Sequence, residues 1–195
     1  MVTKGHLFII SGPSGAGKST ILSAILKKKP QLQYSISYTT RLPRGDEKDG
    51  VEYHFISEAV FRQKIEKGEF AEWAEVHGHL YGTSATRVDE VLAQGMDILF
   101  DIDVQGAKRL WAKYPEAISI FIAPPNMEVL EKRLLKRGVD SSAAMTQRLQ
   151  NARAEMAQAD DYDHVLINDD LTQTVSDLES IIEQASSVGS YEQLA

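Results

Sequence analysis

The sequence predicts an α/β fold in which a parallel sheet is covered by helices on both faces. Four short apolar runs lack polar alternation, as strands that are buried on both faces do. They occupy residues 7–10, 98–102, 118–122 and 164–167. A glycine-rich segment directly follows the first run, and helix-like stretches separate the others, which is typical of a doubly wound domain.

Three helices of this core are predicted from apolar stripes and end signals. Residues 19–29 place their apolar side chains on one face and stop before Pro30. Residues 88–94 run into Gly95, a common helix stop. Residues 172–184 carry a further apolar stripe, and we expect the polar residues after them to fray.

A first insertion into the core is predicted at residues 33–83. The segment is rich in Tyr, Thr and β-branched residues, and we expect strands at 34–39 and 52–56. A helix follows, with Ser57 as its N-cap and Gly68 as its stop. The segment therefore predicts a small, mainly β subdomain.

A second insertion is predicted at residues 126–158, which are polar, strongly helical and contain several arginines. This composition predicts a helical lid. A chain of 195 residues suffices for one well-filled core, so we expect a single domain over 1–195. The segments that form its core are 1–32, 84–125 and 159–195.

Composition and charge exclude several classes of function. The 21 Lys and Arg against 28 Asp and Glu give a formal charge of −7, so the chain should repel nucleic acid and anionic membranes. The absence of cysteine excludes disulfides and thiolate metal sites, and no apolar run has the length of a membrane span or a signal core. We therefore expect a cytoplasmic protein with small-molecule partners, and a homo-oligomer stays open.

The glycine-rich segment predicts a site for nucleoside triphosphate. Residues 12–19 read Gly-Pro-Ser-Gly-Ala-Gly-Lys-Ser and match the phosphate-binding loop, or P-loop, pattern. Backbone N–H groups can converge on a polyphosphate, Lys18 can reach its outer phosphates, and the Ser19 hydroxyl can bind Mg²⁺. A chance glycine turn is the alternative, but the flanking strand and helix favour a purine triphosphate with Mg²⁺ as cofactor. The residues predicted to bind ATP here are Gly12, Pro13, Ser14, Gly15, Ala16, Gly17, Lys18, Ser19 and Thr20.

Two further segments closely resemble the guanylate kinase family. Residues 39–55 read Thr-Thr-Arg-Leu-Pro-Arg-Gly-Asp-Glu-Lys-Asp-Gly-Val-Glu-Tyr-His-Phe, and residues 101–106 read Asp-Ile-Asp-Val-Gln-Gly. The resemblance extends from the P-loop to about Ala185. It implies a P-loop kinase core with a GMP-binding insertion and a lid. The activity it implies is transfer of the ATP γ-phosphoryl group to GMP, with dGMP as a second acceptor, giving ADP and GDP.

The resemblance also implies an acceptor site in the first insertion. Two guanidinium forks and two phenols suit a phosphate monoester dianion, and Arg gives the planar bidentate geometry that Lys lacks. The residues implied to hold the GMP phosphate are Arg41, Arg44, Tyr53 and Tyr81. A solvated arginine face is the alternative.

For the base, the resemblance implies recognition by carboxylates and hydroxyls. A buried carboxylate accepts the N1–H and N2–H₂ donors of guanine, whereas adenine offers an acceptor at N1. The alternative for Glu72 is an exposed strand position. The residues implied at the base are Ser37, Glu72, Thr83 and Asp103, and Glu47, Asp101 and Gly106 complete the GMP site.

Catalysis is expected to proceed by placement and charge neutralisation, because a GMP phosphate oxygen is already anionic near neutral pH and needs no general base. Arg133 and Arg137 lie one helical turn apart and can close over the transferring group together. Alternatively, they pair with Glu128, Glu131 or solvent. The residues predicted to act in catalysis are Lys18, Arg44, Arg133, Arg137 and Arg148; Asn168 joins the ATP site, and Asp101 is expected to hold Mg²⁺ through water.

Two rival functions stay open on the sequence. A non-catalytic guanylate-kinase-like protein-binding module would usually carry a degraded P-loop, whereas Lys18 and Ser19 are present here. A kinase for another nucleoside monophosphate, such as AMP, is the second rival. His77 and His79 predict a hairpin turn rather than a zinc site, and Trp73 stays open between core packing and contact with the base.

Overall fold

The computed structural model describes residues 4–76, 78–136 and 142–191. Its centre is a five-stranded parallel sheet with the strand order β2-β7-β1-β8-β9. The strands of this sheet are β1 (Leu7–Ser11), β2 (Gln33–Tyr34), β7 (Ile98–Asp101), β8 (Ile118–Ala123) and β9 (His164–Ile167). The predicted parallel α/β core is confirmed.

Both faces of the sheet are covered by helices, which explains why the strands lack polar alternation. On β1, Leu7 and Ile9 belong to one core cluster, and Phe8 and Ile10 belong to the other. The first cluster lies under α3 (Ala85–Ala93) and α4 (Val104–Lys113), and the second lies under α1 (Lys18–Lys28) and α7 (Leu171–Tyr191). Full burial of alternating side chains requires apolar residues at every position.

The strand β9 departs from this pattern because it lies at the edge of the sheet. Val165 and Ile167 are exposed, although the run was expected to be buried on both faces. The helix α7 also runs further than the predicted 172–184. It continues to Tyr191, and the Ser186 hydroxyl donates to Asp97 at 3.0 Å, which attaches this part of the helix to the core.

A second, four-stranded sheet forms the small subdomain, with the order β4-β3-β6-β5. Its strands are β3 (Tyr38–Thr39), β4 (His54–Phe55), β5 (Phe70–Val76) and β6 (His79–Ser84). The strand predicted over 34–39 is divided between the two sheets, since β2 pairs with β7 in the core and β3 pairs with β6 here. This stretch of chain therefore connects the core to the subdomain.

Local signals predicted other parts of the subdomain. The helix α2 (Glu58–Glu66) begins after Ser57, whose hydroxyl accepts from the Val60 N–H at 3.3 Å. β5 and β6 form an antiparallel hairpin whose turn includes Gly78 at a φ of 77°. This confirms the hairpin turn; His77 itself lies outside the described residues.

The arginine-containing insertion forms two helices, α5 (Met127–Lys136) and α6 (Ser142–Met156). They pack through Leu130 and Leu134 on α5 and Ala152 on α6. Arg137, one of the predicted catalytic residues, lies outside the described part of the chain. None of the described helices combines the length and apolar character that crossing a membrane needs.

Candidate active site

The P-loop connects β1 to α1 and owes its shape to glycine. Gly12, Gly15 and Gly17 have φ angles of 143°, 92° and 99°, which side chains with a Cβ rarely adopt. Gly17 precedes the first turn of α1, and its carbonyl accepts from the Thr20 N–H at 3.1 Å. The Lys18 ammonium donates to the Gly12 carbonyl at 2.5 Å, so the lysine lies across its own loop.

Close backbone contacts give a second reason for these glycines. A Cβ on Gly12 would lie 2.1 Å from the Ile122 carbonyl oxygen of β8. A Cβ on Gly17 would lie 2.2 Å from the Asn168 side-chain nitrogen. The contact at Gly12 is with backbone, so the loop can lie against β8 only with glycine there. At Gly17 the contact is with the end of a side chain, and the φ of 99° is the stronger reason for glycine.

Two side chains bind the outer side of the P-loop through one carbonyl. The Asn168 side-chain amide donates to the Ala16 carbonyl at 2.7 Å, and Arg133 Nη1 donates to the same oxygen at 3.3 Å. Arg133 Nη2 also donates to the Asn168 carbonyl at 2.9 Å. The helix α5 is thereby attached to the P-loop and to the end of β9.

Arg133 makes contacts with backbone carbonyls, and not the pairing with Glu128 or Glu131 that was the alternative to its predicted role. It lies on the wall of a cavity of about 360 Å³ on the outer side of the P-loop. The other lining residues of this outer cavity are Gly15, Gly17, Thr20, Asn168, Asp169 and Leu171. The predicted action of Arg133 on the transferring group stays a prediction.

A larger cavity of about 430 Å³ lies between the P-loop and the small subdomain. One side of it is formed by P-loop residues, among them Gly12, Lys18 and Ser19. Its lining also includes Ser37, Tyr53, Glu72 and Tyr81 from the small subdomain, and Asp101 and Asp103 from the end of β7. Side chains predicted for the donor site and the acceptor site thus meet in one continuous space.

Glu155 also lines this central cavity, and the sequence analysis missed it. Burial raises the pKa of its carboxyl group, and the charge of Lys18 opposes that shift. A signal was present, because Glu155 follows Arg148 by about two helical turns and so lies on the same face of α6. No motif marks that spacing.

At one end of the central cavity, two carboxylates converge on Gly106. A Cβ on Gly106 would lie 3.0 Å from Glu72 Oε2 and 3.2 Å from Asp103 Oδ1. The Thr83 hydroxyl donates to Glu72 Oε1 at 2.8 Å, and the Gly106 N–H donates to Asp103 Oδ1 at 2.8 Å as the N-cap of α4. Each carboxylate is thus fixed through one oxygen.

Glu72 is only 6% exposed, so the alternative of an exposed strand position is wrong. Burial raises the pKa of its carboxyl group to about 7, and the charge of Asp103 adds to the shift. The hydrogen bond from Thr83 and the charge of Arg109 lower the pKa by less. Near neutral pH the group therefore titrates, which an exposed glutamate would not do.

Toward the other end, Arg41 is held by several partners. Its two terminal nitrogens donate to the two oxygens of Glu47 at 2.9 and 3.0 Å, and its Nε donates to the Tyr81 hydroxyl at 3.3 Å. The hydrogen bond to Glu47 raises the pKa of Arg41 and lowers that of Glu47. Arg41 is 7% exposed, so a solvated face does not describe it. The Arg44 side chain, by contrast, is exposed.

Asp101 ends β7 beside the P-loop. Burial raises the pKa of its carboxyl group, and the charge of Lys18 opposes the shift. Across the described residues, no group of three or more His, Asp or Glu side chains could hold a metal ion. Mg²⁺ usually keeps several waters and takes one or two protein ligands with the substrate phosphates, so a Ser19 hydroxyl with Asp101 nearby fits that ion.

Trp73 lies outside the site. It is 38% exposed on β5, and the Arg109 guanidinium lies 5.5 Å above its ring. Successive residues of a strand point to opposite faces, so Glu72 faces the cavity and Trp73 faces away from it. Contact between Trp73 and a base in this cavity is therefore excluded.

Comparison with known proteins gives one consistent family. The family model for guanylate kinase matches residues 4–185. The chain is 48% identical to a guanylate kinase of Myxococcus xanthus over 179 residues, which cover 91% of this chain and 86% of the relative. It is also 48% identical to a guanylate kinase of Idiomarina loihiensis over 180 residues, with coverage of 91% and 86%.

Solved structures agree with this result. The crystal structure of guanylate kinase from Anaplasma phagocytophilum superposes with a TM-score of 0.78 at 30% identity, covering 94% of this chain and 87% of that one. A shikimate kinase from Bacteroides thetaiotaomicron superposes with a TM-score of 0.52 at 14% identity, covering 91% of this chain and 98% of that one. The second likeness concerns the fold alone.

Proposed function

The chain belongs to the guanylate kinase family, and from this premise we propose how its residues carry out the reaction. It is an ATP:GMP phosphotransferase, which reversibly transfers the γ-phosphoryl group of ATP to GMP and yields ADP and GDP. The observation that carries the assignment of residues is the central cavity, in which the P-loop faces the buried carboxylates of Glu72 and Asp103.

ATP binds with its phosphates along the P-loop. The backbone N–H groups of residues 12–19 and the N-terminus of α1 favour an anion at this position. Lys18 leaves the Gly12 carbonyl and binds the outer phosphates. The adenosine portion lies toward the outer cavity, where Asn168 and Asp169 supply polar groups.

GMP binds with its base at Glu72 and Asp103. One oxygen of each carboxylate is already bonded within the protein, and the other is available to the N1–H and N2–H₂ donors of guanine. Adenine would leave these oxygens unpaired in a buried site, which costs far more than a lost surface contact. Ser37 and Thr83 supply the hydroxyl groups at this end, and Gly106 leaves room for the carboxylates.

The GMP phosphate binds at Tyr53, Tyr81, Arg41 and Arg44. Tyr53 and Tyr81 line the central cavity, and Arg41 lies directly behind them. Arg44 is at the surface and turns inward when the dianion arrives. The groups assigned here address the base and the phosphate rather than the ribose, so dGMP is a second acceptor.

Catalysis depends on placement and charge, because the attacking phosphate oxygen is already anionic. Lys18 and Arg44 approach the transferring group from the donor and acceptor sides. Arg133 and Arg148 belong to the lid, which excludes water as a competing acceptor when it closes. Arg137 is assigned with them on sequence grounds. Ser19 would hold Mg²⁺ directly and Asp101 would hold it through water, and the bound ion would supply neutralisation of phosphate charge.

The setting that fits these assignments is the cytoplasm, with ATP and GMP as the partners. The acidic net charge disfavours nucleic acid and anionic membranes, and the chain has no cysteine.

The experiment that tests the proposal is turnover against a panel of acceptors. ADP release would be measured with Mg²⁺ and ATP in the presence of GMP, dGMP, AMP, CMP or UMP. We expect rapid turnover with GMP and dGMP only. Turnover with AMP at a comparable rate would favour the other kinase, and GMP binding without turnover would favour the non-catalytic module.

A further inference from the structure

One carboxylate, that of Glu47, contacts both arginines of the proposed phosphate site. Its Oε2 accepts from Arg41 Nη1 at 2.9 Å, and its Oε1 accepts from Arg41 Nη2 at 3.0 Å. Its Oε2 also accepts from the backbone N–H of Arg44 at 2.8 Å. Glu47 thus holds Arg41 by its side chain and Arg44 by its main chain.

The geometry at Arg41 is that of a bidentate pair, which fixes the plane of the guanidinium group as well as its distance. Arg41 is 7% exposed, and arginine does not lose its proton in proteins. A buried cation without a counter-charge is costly. Glu47, whose side chain is 24% exposed, supplies that counter-charge before any nucleotide is bound.

The remaining donors of Arg41 show where the pair directs it. Its Nε–H goes to the Tyr81 hydroxyl, and the second Nη1–H goes to the Leu42 carbonyl at 2.8 Å. Within the described structure, one Nη2–H is left for a ligand. Because the Tyr81 oxygen accepts from Arg41, its own proton is free to donate into the central cavity that Tyr81 lines.

We propose that Glu47 is a positioning residue for the acceptor phosphate, which aims both arginines and does not itself contact the nucleotide. This inference rests on the proposed function. A carboxylate in contact with a phosphate dianion would be repelled, so Glu47 acts through the groups it holds. It also neutralises Arg41, so that Arg41 contributes direction to phosphate binding while Arg44 contributes net charge.

Whether Glu47→Gln raises or lowers the affinity for GMP distinguishes orientation of the arginines from their net charge. If orientation dominates, Glu47→Gln weakens GMP binding, because an amide has a single acceptor oxygen and cannot form the bidentate pair with both terminal nitrogens. If charge dominates, the same change strengthens binding, because it frees a cation. We expect the KM for GMP to rise roughly tenfold to a hundredfold, as when a partner that orients a binding group is lost. The KM for ATP should stay within about twofold.

The affinity for guanosine distinguishes a specific loss at the phosphate site from general damage to the subdomain, because general damage would lower it too. It lacks the phosphate, so its affinity, measured by calorimetry, should be unchanged in Glu47→Gln while that of GMP falls. Glu52→Gln is the matched control, since Glu52 is an exposed carboxylate that accepts from the Lys48 N–H in the same loop. Glu47→Asp keeps the charge at a shorter reach and should recover part of the loss.

The proposal is overturned by an unchanged or lower KM for GMP, or by an equal loss of guanosine affinity. If Glu47→Gln does not fold, Glu47→Asp and a double-mutant cycle with Arg41→Lys still test the proposal. In the Arg41→Lys background, Glu47→Asp should add little, and full additivity contradicts action through Arg41. Failure of the proposed function would instead appear as wild-type protein without turnover, while the comparison of GMP with guanosine could still be made.

Discussion

The donor and acceptor sides of the central cavity are built in different ways. The P-loop is a contiguous segment whose geometry comes from backbone angles and from contacts with Ile122 and Asn168. The acceptor side consists of side chains from the subdomain and from the end of the core strand β7, and Arg44 is exposed to solvent. One side is a backbone site whose shape comes from main-chain geometry, and the other is a side-chain site whose groups come from separate segments.

This difference also separates what each side can tolerate. A backbone site is sensitive to any added Cβ, whereas a side-chain site is sensitive to the charge and hydrogen-bonding groups of particular residues. Substitutions on the two sides should therefore fail differently, the first through stability and ATP, the second through selectivity for GMP. The following predictions are ordered by the size of the expected effect.

The largest effect is expected from Gly12→Ala. The new Cβ would meet the Ile122 carbonyl of β8, which cannot move without loss of strand pairing. We expect the free energy of unfolding to fall by about 4 kcal/mol, measured by denaturant titration. Gly68→Ala is the control, because Gly68 has a φ of 65° and nothing within 4 Å of its Cβ position. Gly68→Ala should lower the free energy of unfolding by about 1 kcal/mol. An equal loss at both positions would show that contact with Ile122 is not the cause.

Glu72→Gln should affect selectivity rather than stability. The amide offers guanine a donor where an acceptor is needed, so kcat/KM for GMP should fall roughly a hundredfold or more. Turnover with AMP, measured in the same assay, should not fall. Glu75→Gln, an exposed carboxylate on the same strand, is the control and should leave both values unchanged. A parallel loss for GMP and AMP would show that Glu72 is only structural.

Asn168→Asp tests the support behind the P-loop. The variant places a carboxylate oxygen where an amide N–H now donates to the Ala16 carbonyl. Loss of this buried bond should weaken ATP binding by about 2 kcal/mol, which corresponds to a roughly thirtyfold rise in the KM for ATP. The KM for GMP should change little. Asn151→Asp on α6 replaces an oxygen that accepts from Gln147 with one that can still accept. Its kinetics should match those of the wild type.

The smallest effect is a pH dependence of base recognition. The Glu72 carboxyl has a pKa of about 7 in the folded protein against an ordinary 4.5, so it is largely protonated below pH 7. Guanine needs the ionised form, and guanosine should bind roughly tenfold more weakly at pH 6 than at pH 8. Calorimetry with guanosine avoids titration of the nucleotide phosphate. Glu72→Gln should abolish the dependence, and a flat wild-type profile would contradict the shifted pKa.

The same shift has a consequence for folding. Between pH 4.5 and 7 the folded state binds more protons at Glu72 than the unfolded state does. The contribution of this group to stability is therefore lost as the pH rises through that window, and it is constant above about 7. In Glu72→Gln this part of the pH dependence of unfolding should be absent.

Much of the fold could be predicted because its signals are local. The apolar runs of β1, β7 and β8, the P-loop and the Ser57 cap each depend on a few neighbouring residues. The division of residues 34–39 between two sheets could not be predicted, since it depends on pairing with β7 and β6, far along the chain. The exposure of β9 likewise follows from its place in the strand order.

The candidate site shows the same limit. A motif and a family resemblance selected the residues around the central cavity, but they carry no information on partners within the unliganded protein. The hydrogen bond from Asn168 to Ala16 joins two distant segments, and the pairing of Glu47 with Arg41 lies within one loop. Both are visible only in the folded structure. Glu155 lines the central cavity because of where α6 packs, and no sequence motif marks that placement.

The order of strands also affects how this protein is made. Leu7 pairs with Ile98 and Phe8 pairs with Ile118, so β1 has no neighbouring strand until about ninety further residues have been made. At bacterial-type elongation rates that interval is on the order of ten seconds. The nucleotide-binding turn, whose first glycine contacts Ile122 and whose last contacts Asn168, acquires its final shape only after these distant residues have been made.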